Sequence, residues 1–401
     1  MNKILLGLTG LIYMNNKKLL KADKRKYIDD TIKIGILLGF SGPIESITPA
    51  MSDSAQLALD EATNSGLFLG GKKIKSIKGD TTCIDEAAAI IEADRLLSKG
   101  VIAIIGGGCS GVTGAIAENV TIPNEIPLVS PSATSPKLTE LKDNGLFFRT
   151  SPSDTKIGIE LAELTKKRSI KNVAITYYNN YYQKVLANVY KTHAESIDIN
   201  VTDLQNHEND KPDYSVEVAK LKAAGGDALV VMGYLDLSEG IIEASIDNNA
   251  FDTFILGDGM IGKSLTDYFG KKLDGSFGIL PGLSRKGAVM FEEVAEKKGI
   301  DSSSPYTGQS YDAAALIVLA IHAANSIDGN KIAEKIQEIA NGSGTEIYPG
   351  EIAKGLKLLN NGIKINYKGA TNINFTDIGE DIGDFLEQEI ENGKFKTINY
   401  D

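Results

Sequence analysis

The sequence has very little of what metal centres are built from. Its three histidines, His193, His207 and His322, lie far apart, no two share a helical turn, and Cys83 and Cys109 are the only thiols. No His/Cys metal site and no bound cofactor are expected. Positive charge is also scarce: 42 Lys and Arg against 53 Asp and Glu leave a net charge of -11, which argues against nucleic acid as a partner. Long apolar runs are missing too. The one near the N-terminus, residues 4–14, is shorter than the ~20 residues that span a bilayer, and no other stretch approaches that length. Low-complexity tracts, heptad arrays and short-period repeats are absent as well.

What is present is apolar side chain enough for real cores, 42% of 401 residues, in a chain long enough for two or three domains at ~150 residues each. Met-Asn-Lys followed by the apolar run 4–14 reads as a secretory signal. A basic run follows it (Lys17, Lys18, Lys21, Lys24, Arg25, Lys26), with Leu20-Lys21-Ala22 as the best cleavage site. Residues 1–30 are thus expected to be a signal peptide and disordered leader. No cysteine follows the run to accept a lipid anchor, so the mature form is expected to be freely soluble in the periplasm, with no transmembrane segment.

From residue 32 a short apolar strand, a turn rich in Gly, Ser or Pro, and an amphipathic helix recur. Strands are predicted at 32–38, 72–78, 102–105, 128–130, 172–177, 228–232, 253–256 and 275–280, and helices at 50–65, 83–99, 155–167, 183–196, 215–224 and 237–248. This alternation predicts right-handed βαβ units and mainly parallel sheets, which bind ligands at the carboxyl ends of their strands. Pro152 closes one series and a second begins. Helices are predicted again at 287–298, 311–326 and 331–341, and the tail 370–401 alternates apolar and polar residues as β structure with turns does.

The order of several stretches adds to this. Ile34-Gly35 leading to Ser41-Gly42-Pro43, Asp80 to Cys83, Gly108-Cys109-Ser110, SPSATSPKLT from Ser130, Phe148-Arg149-Thr150, Gly257-Asp258-Gly259 and Tyr311-Asp312-Ala313-Ala314 occur in sequence. In this the chain resembles the solute-binding proteins of ABC transporters in the branched-chain amino-acid binding family, across nearly all of residues 32–400. The resemblance implies an α/β fold of the type I periplasmic-binding-protein class: two doubly wound lobes with mainly parallel sheets, joined by a three-crossover hinge that closes on ligand. The lobes are expected at 31–152 plus 284–378 and at 153–283 plus 379–401, with crossovers near Pro152, Arg285 and Ile378. It also favours a disulfide between Cys83, read as opening a helix, and Cys109, read as ending the next strand; two buried free thiols are the alternative. A bridge enclosing roughly 27 residues would contribute about 3 to 4 kcal/mol.

The implied role is capture of a small amino acid, neutral and aliphatic or of modest size, for delivery to an ABC transporter permease by a monomeric, non-catalytic protein. The resemblance gives the Ser110 hydroxyl and amide and the Thr134 amide to the ligand carboxylate, and the Ser132 carbonyl and Thr134 hydroxyl to its ammonium. Ala133 lies within that loop and Cys109 beside Ser110; only the carbonyl of Ser132 is expected to matter. Asp258, between two glycines with no cation near it in sequence, is expected to pair with the ammonium. Tyr182 is read as an aromatic wall, Tyr306 as a contact near the third crossover, Tyr234 as a neighbouring contact, and Ile47 as a change in the side-chain pocket. Taken alone, the Ser and Thr loops read equally as helix caps, Asp258 as a turn residue and the tyrosines as core.

Two motifs compete. Residues 257–264, GDGMIGKS, fit the P-loop pattern G-x-x-x-x-G-K-[ST], but Asp258 would sit beside phosphates and no strand ending in Asp follows. Ser153-Asp154-Thr155-Lys156 has S-x-x-K spacing without its companion elements, and Pro152-Ser153 reads as a crossover and cap. Other readings within the fold are an amide, urea-like or carboxylate ligand, or a ligand-sensing module. The chain ends at Asp401 without an output domain, which places the sensing reading second.

Overall fold

The structure is a computed structural model that describes residues 30–208, 211–282 and 285–398. Apart from Asp30, the expected leader lies outside the described residues.

Strands β1 (Thr31–Leu38), β2 (Lys73–Asp80), β3 (Ile104–Gly106), β4 (Leu128–Ser130) and β5 (Phe147–Arg149) form one sheet in the order β2-β1-β3-β4-β5, with every pair parallel. Helices α1 (Thr48–Asn64), α2 (Glu86–Ser98) and α3 (Ser110–Ile116) alternate with them. β1 reads TIKIGILL because a central parallel strand is covered on both faces. One face packs Ile34, Ile36 and Leu38 on Met51, Ala55 and Ala58 of α1. The other packs Leu37 and Ile104 on Ala89, Ala93 and Leu96 of α2. β2, KIKSIKGD, is an edge strand whose lysines discourage further pairing.

The chain then leaves β5 and passes through α4 (Asp154–Lys167) into a second sheet. β6 (Asn172–Tyr178), β7 (Asn200–His207), β8 (Ala228–Met232), β9 (Phe254–Leu256) and β10 (Phe277–Pro281) alternate with α5 (Tyr181–Ser196), α6 (Ser215–Ala224), α7 (Glu239–Asp247) and α8 (Lys263–Phe269). It returns through α9 (Arg285–Glu296), α10 (Thr307–Ala324) and α11 (Gly329–Ala340). β11 (Thr345–Ile347), α12 (Ile352–Asn360) and β12 (Ile365–Tyr367) follow. These pack on the first sheet. α10 is buried continuously from Thr307 to His322, its alanines lying against those of α1 in one core. Finally β13 (Phe385–Glu391) and β14 (Lys394–Ile398) complete the second sheet, β14-β13-β10-β9-β8-β6-β7. They join β10 antiparallel through a hairpin, whose Asn392 and Gly393 both take positive φ, the type I′ combination. Among the described residues no single helix is long and apolar enough to cross a membrane.

The structure confirms an α/β molecule with two mainly parallel sheets, and the β structure expected in the tail is this hairpin. β7 and α12 were not expected. β7 reads NVTDLQNH because it is a half-exposed edge strand that needs no apolar run. The two cysteines do form a disulfide, with Cα atoms 5.2 Å apart, but not from the expected elements. Cys83 precedes α2 in a turn with positive φ at Thr82 and Cys83. The Asp80 carboxylate fixes this turn by accepting from the Thr82 and Ser41 amides and the Ser41 hydroxyl. α2 starts three residues later, capped by Asp85. Cys109 stands beyond β3 as the residue before α3, so α3 begins at Ser110 and not at Val112.

Where the chain passes between the sheets, three segments run side by side. The Arg149 amide donates to Gly379 O at 3.0 Å and the Asp381 amide to Arg149 O at 3.0 Å. Thr150 Oγ1 donates to Gln309 O at 2.9 Å, and Gln309 Nε2 to Pro281 O at 3.1 Å. Lys156 Nζ donates to the carbonyls of Ile382 and Gly383. The Arg149 side chain is fully buried and pairs with Glu380 at 2.6 Å. Removing one partner of such a pair leaves a charge without compensation in a dry site, so Glu380→Ala is expected to lower the unfolding free energy by about 3 kcal/mol. Glu380→Gln, which keeps an acceptor, should lose less. Urea unfolding of the three proteins checks both expectations.

Candidate functional site

The loops that follow the carboxyl ends of β1, β3 and β4 in one sheet, and of β6, β8 and β9 in the other, meet in a buried cavity. This is the position at which open α/β sheets hold ligands. From the first side the wall is Ile44, Ile47, Gly108, Cys109, Ser110 and Ser132. From the second it is Tyr182, Tyr234, Leu235, Asp258, Gly259 and Ile261, with Tyr306 between. A wider chamber shares Ser110, Tyr182 and Tyr234 with it and leads outward past Asn180 and Glu86.

Glycines set the first loop. Gly106, Gly107 and Gly108 all have positive φ, and a Cβ on Gly107 would stand 1.8 Å from Thr113 Oγ1. Only glycine lets the chain turn here and place Ser110 at the start of α3. The Ser110 oxygen accepts the Ser135 amide at 3.1 Å, so its own proton is left to donate. In the second loop Ser130 Oγ accepts the Ala133 amide at 3.1 Å, and Ser132 Oγ donates to Gly108 O at 2.8 Å, which ties the loops together. From the crossover side Arg149 Nη1 donates to Ala133 O at 3.3 Å and Ser135 O at 3.0 Å.

Ala133 and Thr134 therefore differ from their expected placement. Both are fully buried behind the cavity wall, because the peptide groups of Ala133 are consumed by Ser130 and Arg149. Thr134 reaches the site only through its hydroxyl, 3.4 Å from Tyr182 Oη, while its carbonyl takes the Asp154 amide. Nor is Ser132 a carbonyl contact alone, given its hydroxyl bond to Gly108.

On the second side, Asn180 caps α5 by accepting the Gln183 amide at 2.7 Å, which sets Tyr182 in the first turn. Tyr182 and Tyr234 stack with ring centroids 5.7 Å apart. The Leu235 amide donates to Gly259 O, locking the loops after β8 and β9 together. Asp258 is 2% exposed. Tyr306 Oη donates to it at 2.5 Å and Tyr182 Oη at 3.2 Å, and among the described residues no Lys or Arg forms an ion pair with it. Burial raises the pKa of Asp258, and the two phenol bonds lower it again in part. Burial also raises Tyr182, Tyr234 and Tyr306, so all three are neutral donors at physiological pH. Tyr306 holds φ of 61° just before α10, a backbone cost that a bulky residue bears only where the surroundings impose it.

Three features were missed from sequence. Asp154, the first residue of α4, is fully buried beside this constellation with neither carboxylate oxygen hydrogen-bonded within ordinary geometry. Its only sequence signal was an acid placed directly after the Pro152-Ser153 crossover. Ser46 Oγ donates to Asp236 Oδ2 at 2.9 Å across the cleft rim, a pairing no local pattern reveals. Ile44, Leu235 and Ile261 supply the apolar end of the wall.

The competing motifs do not assemble. Lys263 of GDGMIGKS pairs with Asp267 on an exposed helix surface while Asp258 of the same stretch is buried. Lys156 of the S-x-x-K spacing is spent on the carbonyls of residues 382 and 383, and the Ser153 hydroxyl caps nothing.

Residues 31–348 match the family model described as periplasmic binding protein. The chain belongs to that family. This binding protein is 25% identical over 319 residues to the leucine-, isoleucine-, valine-, threonine-, and alanine-binding protein of Pseudomonas aeruginosa, covering 77% of this chain and 82% of that one. It is 25% identical over 378 residues to the chemotactic signal transduction system substrate-binding protein BasB of Halobacterium salinarum, covering 91% and 88%. Among solved structures, the branched-chain amino acid transporter substrate binding protein LivJ of Streptococcus pneumoniae, in complex with isoleucine, superimposes with a TM-score of 0.76 at 22% identity, covering 92% and 99%. A Rhodopseudomonas palustris solute binding protein in complex with p-hydroxybenzoic acid gives 0.72 at 17%, covering 91% and 95%. The last two establish likeness of fold, with two lobes of the type I class.

In this binding protein the Ser132 bond to Gly108 is one neutral hydrogen bond, partly buried. Ser132→Ala is expected to cost about 1 kcal/mol of stability, read as a lower urea midpoint, where the carbonyl role alone would leave the midpoint unchanged.

Proposed function

We propose that the chain captures a small neutral amino acid in its inter-sheet cavity and delivers it to an ABC transporter permease, as a monomeric extracytoplasmic binding protein without a catalytic role. The observation that carries this is the division of chemistry across the cavity. The first sheet offers the neutral Ser110 hydroxyl with its proton free to donate, suited to a carboxylate. The second offers Asp258, an acid with phenol partners but no cation, suited to an ammonium. The apolar residues Ile44, Ile47, Leu235 and Ile261 fit an aliphatic side chain and give no charge partner to a basic or acidic one.

Residues 31–152 plus 284–378 would act as one lobe and 153–283 plus 379–401 as the other, turning about the three adjacent crossover segments. Export is supported by the family and by the disulfide, which is typical of oxidising compartments; residues 1–30 would be the removable signal, leaving no lipid anchor. The BasB relative, named for chemotactic signal transduction, supports a second reading in which the loaded protein addresses a signalling partner. A carboxylate ligand without an amine, as in the p-hydroxybenzoic acid complex, is disfavoured because it leaves Asp258 buried without a counter-charge.

Calorimetry with L-leucine, L-isoleucine, L-valine and L-alanine, each beside its des-amino analogue, tests the assignment. Leaving the ammonium unpaired should cost about 3 to 5 kcal/mol, ~150-fold or more in affinity. Asp258→Asn is therefore expected to abolish measurable amino-acid binding, and equal affinity for an amino acid and its des-amino analogue would refute the ammonium pairing. Small-angle scattering should show a smaller radius of gyration when ligand saturates the protein; an unchanged radius argues against lobe closure.

A further inference from the structure

The cavity holds more negative charge than the ligand chemistry above uses. Asp154 and Asp258 come from different segments, the first from the crossover into α4 and the second from the loop after β9. They are linked through the site by short steps. The Asp154 amide donates to Thr134 O at 2.9 Å, Thr134 Oγ1 lies 3.4 Å from Tyr182 Oη, and Tyr182 Oη donates to Asp258 at 3.2 Å. Asp154 has no solvent exposure and Asp258 is 2% exposed. The groups facing them are known from every side. Arg149, from β5, is the nearby cation, but its charge is matched by Glu380 and both its terminal nitrogens are engaged: Nη1 by the carbonyls of residues 133 and 135, Nη2 by Thr139 and Glu380. Lys156, on the same helix as Asp154, is held by the carbonyls of residues 382 and 383. Tyr182, Tyr234 and Tyr306 bring neutral phenols. Neither Asp154 oxygen has a hydrogen bond of ordinary geometry.

Two carboxylates in one dry site without a counter-charge of their own do not both ionise. Burial and the neighbouring Asp258 both push the pKa of Asp154 up, against smaller opposing effects of Thr134 and Arg149. We infer that Asp154 is a second acidic wall of the ligand chamber, that it shares one proton with Asp258 while the chamber is empty of ligand, and that an arriving ammonium group displaces that proton to solvent. The inference rests on the ammonium reading proposed above. The step is a single acid dissociation: one carboxyl O–H bond breaks, the proton leaves to water or buffer, and the ligand's positive charge takes its place between the two carboxylates. Selectivity follows. A neutral amide or a simple carboxylate cannot expel the proton, so Asp154 discriminates for ligands that bring a cation.

Linkage gives the sign. A ligand that releases one proton binds more weakly as pH falls, by up to tenfold per pH unit below the upper pKa of the pair. Calorimetry of the wild-type protein with the tightest-binding of L-leucine, L-isoleucine, L-valine and L-alanine, in buffers of different ionisation enthalpy between about pH 5 and 8, counts the protons released. Release approaching one proton is expected on the acidic side of that range, falling away toward its alkaline end, with none for the des-amino analogue. Asp154→Asn should bind with no release and a flat pH dependence. If that variant does not fold, the wild-type proton count decides alone. Tight amino-acid binding with no proton exchanged and no pH slope overturns the inference and leaves the amino-acid reading standing. No binding of any of the four amino acids at any pH overturns both.

Discussion

The position of the ligand loops depends on one buried cation. A guanidinium has five N–H donors and strips poorly from water, so Arg149, fully enclosed at the end of β5, organises whatever surrounds it. Its donors take the carbonyls of Ala133 and Ser135, the Thr139 hydroxyl and the Glu380 carboxylate. The first two pin the loop that presents Ser132 and the Thr134 hydroxyl. The last docks the returning segment from which β13 starts. Burial lowers the pKa of Arg149 and the charges of Glu380 and Asp154 raise it again. One side chain thus fixes the floor of the site and the place where the chain passes between sheets.

This accounts for what could and could not be read ahead of the structure. Strands buried on both faces announce themselves by composition, so β1, β4, β6 and β8 were located within a residue or two at each end. β7 was invisible because a half-exposed edge strand has no reason to be apolar. Cys83 was placed on a helix because the apolar pattern runs on smoothly from it, yet the Asp80 carboxylate draws three donors to itself and forces a left-handed turn first. Within the site, Ser110, Tyr182, Asp258 and Tyr306 stand next to strand ends or crossovers, where position in the chain foretells position in space. Asp154 and the Ser46 contact with Asp236 do not, since each acquires meaning only from a segment distant in sequence.

The two sheets also contribute in electrically different ways. The first side offers hydroxyls and amides pinned by one another and by Arg149, all neutral toward the cavity. The second carries Asp258 on a short turn locked to the loop after β8. Hydrogen bonds from the first side and charge from the second meet only when the loops are apposed, which they are here through Ser46 and Asp236 at the rim and through Tyr306 and Thr134 inside. The rim contact is one hydroxyl on one exposed carboxylate and contributes little alone. Apposition therefore depends mainly on what lies inside.

The tyrosines then have a definite task. Asp258 in a dry cavity needs donors, and Tyr306 and Tyr182 supply them as neutral phenols. A bond from a neutral donor to a carboxylate is weaker than one from an ammonium, roughly by half, and it brings no charge. The phenols keep Asp258 tolerable without satisfying it, and Tyr306 does so from a left-handed backbone whose strain costs about 1–3 kcal/mol. A site furnished in this way is stable enough to close, yet retains a difference in free energy that only a cationic group recovers. Discrimination between an amino acid and an uncharged mimic then comes from how incompletely the protein satisfies its own acid, and filling that place with a permanent Lys or Arg would stabilise the closed form while removing its selectivity.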